Sequence, residues 1–167
     1  KLRAKARPLA ASEIRSGEVQ RLIDDMLDTM REYHGIGLAA PQVHESVRLF
    51  VAGFSPQGNE LDPEDDDPPL MALINPEITV VGREQALDWE GCLSIPDMRG
   101  KVPRYKSIRV QALDRNGAPL DFVASGFHAR VVQHEWDHLN GKVYLDRMPD
   151  LSTLSFITEF ARYWLGK

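Results

Sequence analysis

Apolar side chains recur at every third or fourth position across residues 18–32, EVQRLIDDMLDTMRE. Positions with this spacing lie one above the other on a helix, so the pattern predicts an amphipathic α-helix with one buried face. Ser16 or Gly17 stands just ahead of the pattern and is suited to begin the helix. The predicted buried face consists of Val19, Leu22, Ile23, Met26, Leu27 and Met30.

Segments with the composition of β-strands follow this helix. Residues 47–54, VRLFVAGF, predict one strand, and residues 71–82, MALINPEITVVG, predict a second that is broken at Pro76. Residues 107–114 and 119–127 flank the sequence RNGA. Because Asn-Gly favours a tight hairpin turn, these last two segments are predicted to pair as an antiparallel hairpin.

Two more helices are predicted towards the end of the chain. The first covers about 127–139, with Asn140 and Gly141 as its stop, and the second covers about 152–165. The order of helix, strands, helix and helix shows no regular β-α-β alternation, which indicates an α+β fold with mainly antiparallel sheet. The apolar face of the last helix consists of Leu154, Ile157, Phe160, Ala161, Trp164 and Leu165.

The composition is ordinary for a globular protein. The chain has 167 residues, of which 43% are hydrophobic and 27% charged, so we expect one domain over residues 1–167. A formal net charge of -5 argues against DNA binding. No apolar run is long enough to span a bilayer and no signal-peptide pattern opens the chain, so no membrane association is expected. Residues 55–70, with four prolines and six acidic residues, are expected to form a solvated loop.

Within the helix predicted over 127–139 lies the pattern H-E-x-x-H, formed by His134, Glu135 and His138. One helical turn separates the two histidines, so both imidazoles project from the same face, as two metal–nitrogen bonds require. Glu135 is offset by one position and is placed to take a proton from water. The alternative is an amphipathic helix with two surface histidines.

A catalytic metal usually takes three protein ligands, so a third must come from elsewhere in the chain. The candidates are His34, His44, His128, a carboxylate and the single cysteine, Cys92. A cysteine with two histidines is a known ligand set for catalytic zinc, which favours the cysteine modestly. A lone cysteine also fits a buried, chemically inert position.

The small-residue segment GIGLAAPQ, residues 35–42, mimics a dinucleotide-binding fingerprint. That motif needs a strand before it and a helix after it, whereas here a helix precedes it and Pro41 prevents one from following directly. Gly35 and Gly37 are better explained as points of close backbone approach. Gln42 carries an amide that can donate to a developing oxyanion, or that makes a structural hydrogen bond.

Taken together, GIGLAAPQ, EGCLSIP and QHEWDHLNG resemble the three signature motifs of the peptide deformylase family. The family writes them as G-x-G-x-A-A-x-Q, E-G-C-L-S and Q-H-E-x-D-H, in this order. INPEI, RNG and ASGFHARVVQH are similar to the family as well, so the resemblance covers nearly the whole chain. The matching positions are Gly35, Gly37, Ala39, Ala40, Gln42, Glu90, Gly91, Cys92, Leu93, Ser94, Gln133, His134, Glu135, Asp137 and His138.

The resemblance implies an enzyme that hydrolyses the N-formyl group from the formylmethionine of new polypeptides and releases formate. The implied fold has mainly antiparallel sheets packed around a central metal-binding helix, with an N-terminal and a C-terminal helix. The implied metal ligands are Cys92, His134 and His138, holding one divalent ion. Ferrous iron is the usual metal of the family, and zinc, nickel or cobalt can replace it.

The resemblance also assigns roles to other positions. Glu135 is the implied general acid–base, and the Gln42 amide and the Leu93 backbone N–H are the implied oxyanion donors. A nascent N-formylmethionyl peptide is expected to pair with a strand edge at Ile36 and Gly37. The remaining implied substrate-binding residues are Gly91, Arg99, Arg130 and Val131, and Ile36, Val131 and the Arg130 stem are expected to form the methionine pocket.

Further expectations follow from the family. Glu90 and Arg104 are predicted to pair behind the metal ligands. The protein is expected in the bacterial cytoplasm, where transient ribosome association is compatible with its substrate; organelles also contain members of the family. The chain departs from the family at His44, where glycine is usual, and in the length and acidity of residues 55–70.

Two alternatives to a deformylase use the same histidine pair. A zinc endopeptidase of the H-E-x-x-H type would take its third ligand, a glutamate or histidine, from further along the chain. A structural metal site in a binding module would need four protein ligands, and no fourth cysteine or histidine has plausible spacing.

Overall fold

The computed structural model of the chain describes residues 1–53 and 70–165. Four α-helices lie within these residues, and two short 3-10 helices cover Ala40–Val43 and Tyr144–Arg147. The predicted loop over 55–70 falls outside the described residues, except for Leu70, which begins a strand. The α-helices are α1 (Ala11–Ile14), α2 (Gly17–Glu32), α3 (Gly126–Leu139) and α4 (Ile157–Tyr163).

Eight strands among the described residues form two antiparallel sheets. The first sheet has five strands in the order β1-β2-β3-β6-β7, and the second has three in the order β4-β5-β8. The predicted α+β fold is therefore confirmed. The strands are β1 (Gly37–Ala39), β2 (Leu49–Gly53), β3 (Leu70–Val80), β4 (Gln85–Cys92), β5 (Ile95–Tyr105), β6 (Ser107–Leu113), β7 (Pro119–Ser125) and β8 (Ser155–Phe156).

The five-stranded sheet is covered by a helix on each face, which explains why β2 is apolar throughout. Leu49 and Val51 of β2 pack with the buried face of α2. Phe50 and Ala52 point the other way and pack with apolar residues of α3. Side chains alternate between the two faces of a strand, so a strand covered on both sides needs an apolar residue at every position.

The helix α3 occupies the centre of the molecule. It packs against β1, β2 and β7 of the first sheet and against β5 of the second. Ten of its fourteen residues are buried, among them the polar residues Gln133, Glu135, Asp137 and His138. The predicted boundaries of α2 and α3 agree with the structure to within one residue, and Ser16 Oγ accepts a hydrogen bond from Val19 N as the cap of α2.

The strand β3 is bulged at Pro76, not broken there as predicted. Its pairing with β6 shifts register between Ile74 and Glu77, and the strand continues on both sides. Asn75 adopts φ 50° at the bulge, and its side-chain amide bonds both the N–H and the carbonyl of Leu9. Because a bulge leaves one residue out of the ladder, the missing N–H of proline is tolerated at this point.

The last helix is shorter than predicted. The prediction covered 152–165, but α4 covers Ile157–Tyr163, and Ser155 and Phe156 pair instead with β5 as β8. Asp150 Oδ1 accepts from Ser152 N and stabilises a turn ahead of β8. None of the α4 residues is buried; Phe160 and Trp164 pack edge-on against Trp89.

The N-terminal arm, residues 3–7, joins the end of α3 to the rest of the molecule. Ala6 N donates to the carbonyl of Leu139 at 2.9 Å, and Arg3 pairs with Asp146 beyond the helix. Arg7 exchanges backbone hydrogen bonds with Ser46 and Arg48, just ahead of β2. No helix in the described part of the chain combines the length and hydrophobicity needed to cross a membrane.

Candidate active site

The buried face of α3 carries the H-E-x-x-H residues into the centre of the molecule. His138 is fully buried and Glu135 is 4% exposed. The rings of His134 and His138 lie one turn apart with their centroids separated by 5.0 Å. The helix therefore presents two imidazoles to one point, and the interpretation as surface histidines is wrong.

Cys92 reaches the same point from the second sheet. It ends β4, where the ladder to β5 shifts register between Gly91 and Cys92. Its Sγ lies 3.3 Å from His138 Nε2, and one ligand atom from each of Cys92, His134 and His138 lies within 4.8 Å of the others. The three side chains are thus brought together, whereas His34, His44 and His128 are not part of this group.

A buried ionic network supports His134 from behind. Glu90 Oε2 lies 2.9 Å from His134 Nδ1, which leaves His134 Nε2 available on the side of the cysteine. Arg104 bonds both Glu90 oxygens, at 2.9 and 3.0 Å, so the predicted Glu90–Arg104 pair is confirmed. Arg104 and Arg147 both donate to Asp137 at 2.6 Å. Partners that orient a ligating histidine in this way fix its ring and tautomer.

The pKa values of these buried groups shift in different directions: that of His134 is raised, and those of Glu90 and His138 are lowered. Burial disfavours the charge of Glu90, but hydrogen bonds from His134 and Arg104 outweigh it and hold the Glu90 pKa at about 2. Burial likewise opposes the charge of His134, yet hydrogen bonds to Cys92 and Glu90 raise its pKa to about 10. Burial and the charge of His134 lower the pKa of His138 to about 3. Because ligating nitrogens must be unprotonated, a cation bound here would displace the proton from His134 Nε2 and leave Nδ1 bonded to Glu90.

Glu135 lies beside the cluster in an environment suited to proton transfer. Burial raises the pKa of Glu135 to about 7, against the opposing charge of His134. Its Oε2 is buried and has no hydrogen-bond partner among the described residues. A Cβ on Gly37 would come 2.4 Å from Glu135 Oε1, so the glycine makes room for this side chain.

Gln42 and Leu93 meet the cluster from two different elements. Gln42 Oε1 accepts from Ala39 N at 2.8 Å, which fixes the direction of the amide. Its Nε2 points to Ser94 Oγ at 3.1 Å and to Cys92 Sγ at 3.6 Å. Leu93 is 42% exposed at the mouth of the site. The amide hydrogens of Gln42 are therefore directed at the cluster.

One cavity of about 740 Å³ opens onto these groups between β1 and β4. Except for His138, which lies behind the wall, all of the residues predicted for the site line it. Arg130 contributes only its stem, because its guanidinium is bonded to Glu90 and to main-chain carbonyls. The lining includes Ile36, Gly37, Gln42, Gly91, Cys92, Leu93, Arg99, Arg130, Val131, His134 and Glu135.

The sequence patterns do not predict the contacts of three residues beside the site. Asp137 is a motif position with no predicted role, and no motif includes Arg147 or Tyr144. Tyr144 is 1% exposed and stacks on His134 with 6.4 Å between ring centroids. The Arg147–Asp137 and Tyr144–His134 contacts join α3 to the 3-10 helix Tyr144–Arg147, which no pattern of apolar residues predicts.

The donor set fits a divalent cation. A thiolate and two imidazoles suit iron, zinc, nickel and cobalt. Three protein ligands leave a coordination position for water or substrate, which distinguishes catalytic from structural sites. With the unpartnered carboxylate of Glu135 alongside, fold and site define a metal-dependent hydrolase.

Comparison with known proteins identifies the family. The family model described as polypeptide deformylase matches residues 1–153. Peptide deformylase 2 of Pseudomonas putida is 46% identical over 151 residues, covering 90% of this chain and 84% of that protein. Peptide deformylase 1 of Nitrosomonas europaea is 46% identical over 139 residues, covering 83% and 78%.

Solved structures agree with this assignment. The class I type b peptide deformylase of Acinetobacter baumannii bound to Met-Ala-Ser has a TM-score of 0.79 and 39% identity, covering 88% of this chain and 91% of that one. The Synechococcus elongatus peptide deformylase in complex with actinonin has a TM-score of 0.77 and 38% identity, covering 89% and 74%. The chain belongs to the polypeptide deformylase family of metal-dependent hydrolases, which act on N-terminal formylmethionine peptides. The endopeptidase and binding-module alternatives are set aside.

Proposed function

We propose that this chain deformylates N-formylmethionyl peptides at the cavity between β1 and β4, with one divalent cation held by Cys92, His134 and His138. The observation that carries the proposal is the buried Glu135 Oε2, which has no partner among the described residues and lies beside the three converging ligand atoms. A buried carboxylate oxygen is costly unless something bonds it. A water molecule poised for attack would satisfy it.

The chemistry divides between the cation and the side chains. When bound, a divalent cation supplies a Lewis-acidic charge that acidifies water and polarises a carbonyl group. Glu135 accepts a proton from the attacking water while the water oxygen bonds to the formyl carbon. Its raised pKa suits this task, because a general base works best with a pKa near the operating pH.

The negative charge that develops on the formyl oxygen needs donors. Gln42 Nε2 points into the site because Ala39 N fixes the other end of the amide, and the Leu93 backbone N–H is the second proposed donor. Glu135 then returns the proton to the amine nitrogen as the carbon–nitrogen bond breaks. The products are formate and a free amino terminus.

We propose that the substrate pairs with the free edge of β1 at Ile36 and Gly37 and approaches Gly91 on the opposite side. An extended peptide can add to an open strand edge through main-chain hydrogen bonds, and β1 is the outer strand of its sheet. Arg99 lines the same cavity, which supports its proposed role as a contact of the peptide chain. The Met-Ala-Ser complex of the Acinetobacter baumannii relative supports this class of ligand.

Ile36, Val131 and the Arg130 stem form the proposed pocket for the methionine side chain. Val131 is 8% exposed and Ile36 is 40% exposed, so the pocket has a buried floor and an open rim. An apolar pocket of this kind accepts an unbranched thioether without leaving a polar group unpaired.

For the metal in the cell we propose ferrous iron, with zinc, nickel or cobalt able to occupy the same ligands. Thiolate and imidazole ligands are compatible with each of these ions. The proposed place of action is the bacterial cytoplasm, where newly synthesised formylated chains emerge, and a transient association with the ribosome fits that substrate.

The direct test removes the proposed base. Glu135→Ala should retain the metal, because no ligand is changed, and should lose about 10²–10⁴-fold or more in kcat, the usual contribution of general acid–base catalysis. The measurement is formate release from formyl-Met-Ala-Ser by anaerobically prepared protein, with metal content determined in parallel. Glu84→Ala, at a side chain 81% exposed, is the matched control and should behave as the unmodified protein. Near-normal turnover by Glu135→Ala would remove the proposal.

A further inference from the structure

Arg130 has a second set of contacts that its role in the methionine pocket does not use. Its side chain is only 8% exposed. Nη1 donates to Glu90 Oε1 at 2.7 Å and to the Val102 carbonyl at 2.9 Å, and Nη2 donates to the Ala86 carbonyl at 2.7 Å. The guanidinium therefore joins α3 to both long strands of the second sheet while it bonds one carboxylate.

The carboxylate that it bonds is the one that orients His134. Glu90 Oε2 faces His134 Nδ1 at 2.9 Å, and Arg104 bridges both oxygens. Arg130 takes the remaining outer position on Oε1, opposite the histidine. Each oxygen of Glu90 thus has two hydrogen-bond partners, and these four contacts together fix the orientation of the carboxylate.

We propose that Arg130 is a positioning residue for His134 and acts through Glu90. The terminal torsion of a glutamate side chain is broad and needs external contacts to fix it. The main-chain carbonyls of β4 and β5 hold the guanidinium, the guanidinium holds the carboxylate, and the carboxylate holds the imidazole. This inference rests on the proposed role of His134 as a metal ligand.

A substitution of Arg130 can separate its proposed positioning role from its role as a wall of the methionine pocket. Arg130→Met keeps an apolar stem in the pocket and removes all of the donors. Outer partners of a ligating histidine typically contribute about 10–100-fold in metal affinity or activity. We therefore expect zinc-loaded Arg130→Met to release its ion to a chelator about 10-fold faster or more. Its kcat should fall by a similar factor, with KM for formyl-Met-Ala-Ser changed by less than about 3-fold.

Arg130→Lys tests whether charge or geometry matters. A lysine keeps the positive charge but cannot bond Glu90 and both strands through one planar group. Zinc release is expected at a rate between those of the unmodified protein and Arg130→Met. If Arg130→Met does not fold, this variant decides the question, and zinc release at the unmodified rate overturns the proposal.

Arg48→Met is the matched control for losing a buried arginine. The Arg48 side chain is 7% exposed and bonds the Pro76 carbonyl and Glu77, with no bond to Glu90. Arg48→Met should lower the free energy of unfolding and leave the rate of zinc release and the KM for formyl-Met-Ala-Ser unchanged. Zinc release by Arg130→Met within about 2-fold of the Arg48→Met rate, or a change confined to KM, overturns the inference.

Two further variants show whether the link through Glu90 or the proposed metal site is wrong if the expected results are not obtained. Glu90→Gln removes the carboxylate through which Arg130 acts, so adding Arg130→Met to it should change zinc release much less than it does alone. Equal effects in both backgrounds would show that Arg130 does not act through Glu90. His134→Ala tests the underlying site: if it holds zinc as tightly as the unmodified protein, the proposed metal site itself fails.

Discussion

Gly37 lies so close to the side chain of Glu135 that residue 37 has no room for a side chain of its own. A Cβ at residue 37 would lie 2.4 Å from Oε1, 2.8 Å from Cδ and 2.9 Å from Cγ of Glu135. Such separations are well inside van der Waals contact. Because residue 37 has no side chain, the proposed base Glu135 has room to lie beside β1.

Gly37→Ala should therefore reduce kcat more than it changes KM. The added methyl group must push Glu135 aside, and a displacement of about 1 Å in a reacting group can cost about 10²-fold in rate. Steady-state kinetics of formate release check this result. Gly17→Ala, where a Cβ would meet only an arginine nitrogen at 3.4 Å, is the control and should have normal kinetics. A rise in KM at constant kcat would assign Gly37 to substrate binding alone.

The residues of the site could be predicted wherever a short local pattern specifies them. The spacing of His134 and His138 and the motif around Cys92 are of this kind. The bonds from Arg130 to Glu90 and from Arg147 to Asp137 are not, because a buried arginine looks like a surface charge in the sequence. The Arg130 bond depends on how the second sheet packs on α3, and the Arg147 bond depends on how the 3-10 helix Tyr144–Arg147 packs on it.

Among the elements, the helices with one apolar face were predictable and the second sheet was not. β5 contains Pro96, Gly100 and Pro103, which argue against a strand in the sequence. β4 and β5 nevertheless form the long ladder that carries Cys92 and Glu90. Pairing between strands supplies this structure, and pairing partners do not appear in the local pattern of apolar residues. The overlong prediction for α4 has the same origin, because β8 forms only against β5.

The N-terminal arm is stabilised by an ion pair with a defined pH dependence. A hydrogen bond from Arg3, opposed by partial burial, lowers the pKa of Asp146 from 3.8 to about 2. A carboxylate with a depressed pKa stabilises the folded state fully above its unfolded pKa. That contribution is lost as the pH falls through the folded pKa. The stabilisation should thus be present at neutral pH and disappear between about pH 4 and pH 2.

Asp146→Asn should lower the free energy of unfolding at pH 7 by up to about 1 kcal/mol, the scale of a partly exposed ion pair. The difference from the unmodified protein should be smaller at pH 3. Urea unfolding of the metal-free protein at both pH values measures it. Asp28→Asn, at a side chain 78% exposed, should change little at either pH. A difference that grows as the pH falls would contradict the assignment.

On the scale of the molecule, stability is distributed unevenly between the two sheets. β2 is buried on both faces and lies inside the five-stranded sheet, whereas α4 buries none of its residues and β8 pairs over two positions. Local opening needs least free energy where few apolar contacts are lost. The region that α4 covers also lies beyond the residues matched by the family model.

Native-state hydrogen exchange should follow this distribution. Amides of β2 and β3 should exchange only through global unfolding, and amides of β8 and α4 should exchange much faster. Mass spectrometry of peptide fragments resolves these regions. Protection of α4 equal to that of β2 would show that the C-terminal segment folds with the core.

The bond between Ala6 N and the Leu139 carbonyl, and the pairing of Arg3 with Asp146, also constrain folding during synthesis. A ribosome makes the arm before these partners, with a sequence separation of 143 between Arg3 and Asp146. Arg7 can pair early with Ser46 and Arg48, but the bonds of Arg3 and Ala6 must wait until α3 and the residues after it have emerged. His138 emerges directly before Leu139, so these bonds can form only after all three proposed metal ligands have been made. The proposed metal site and the bonds between the arm and the end of α3 are therefore completed at the same late stage of synthesis.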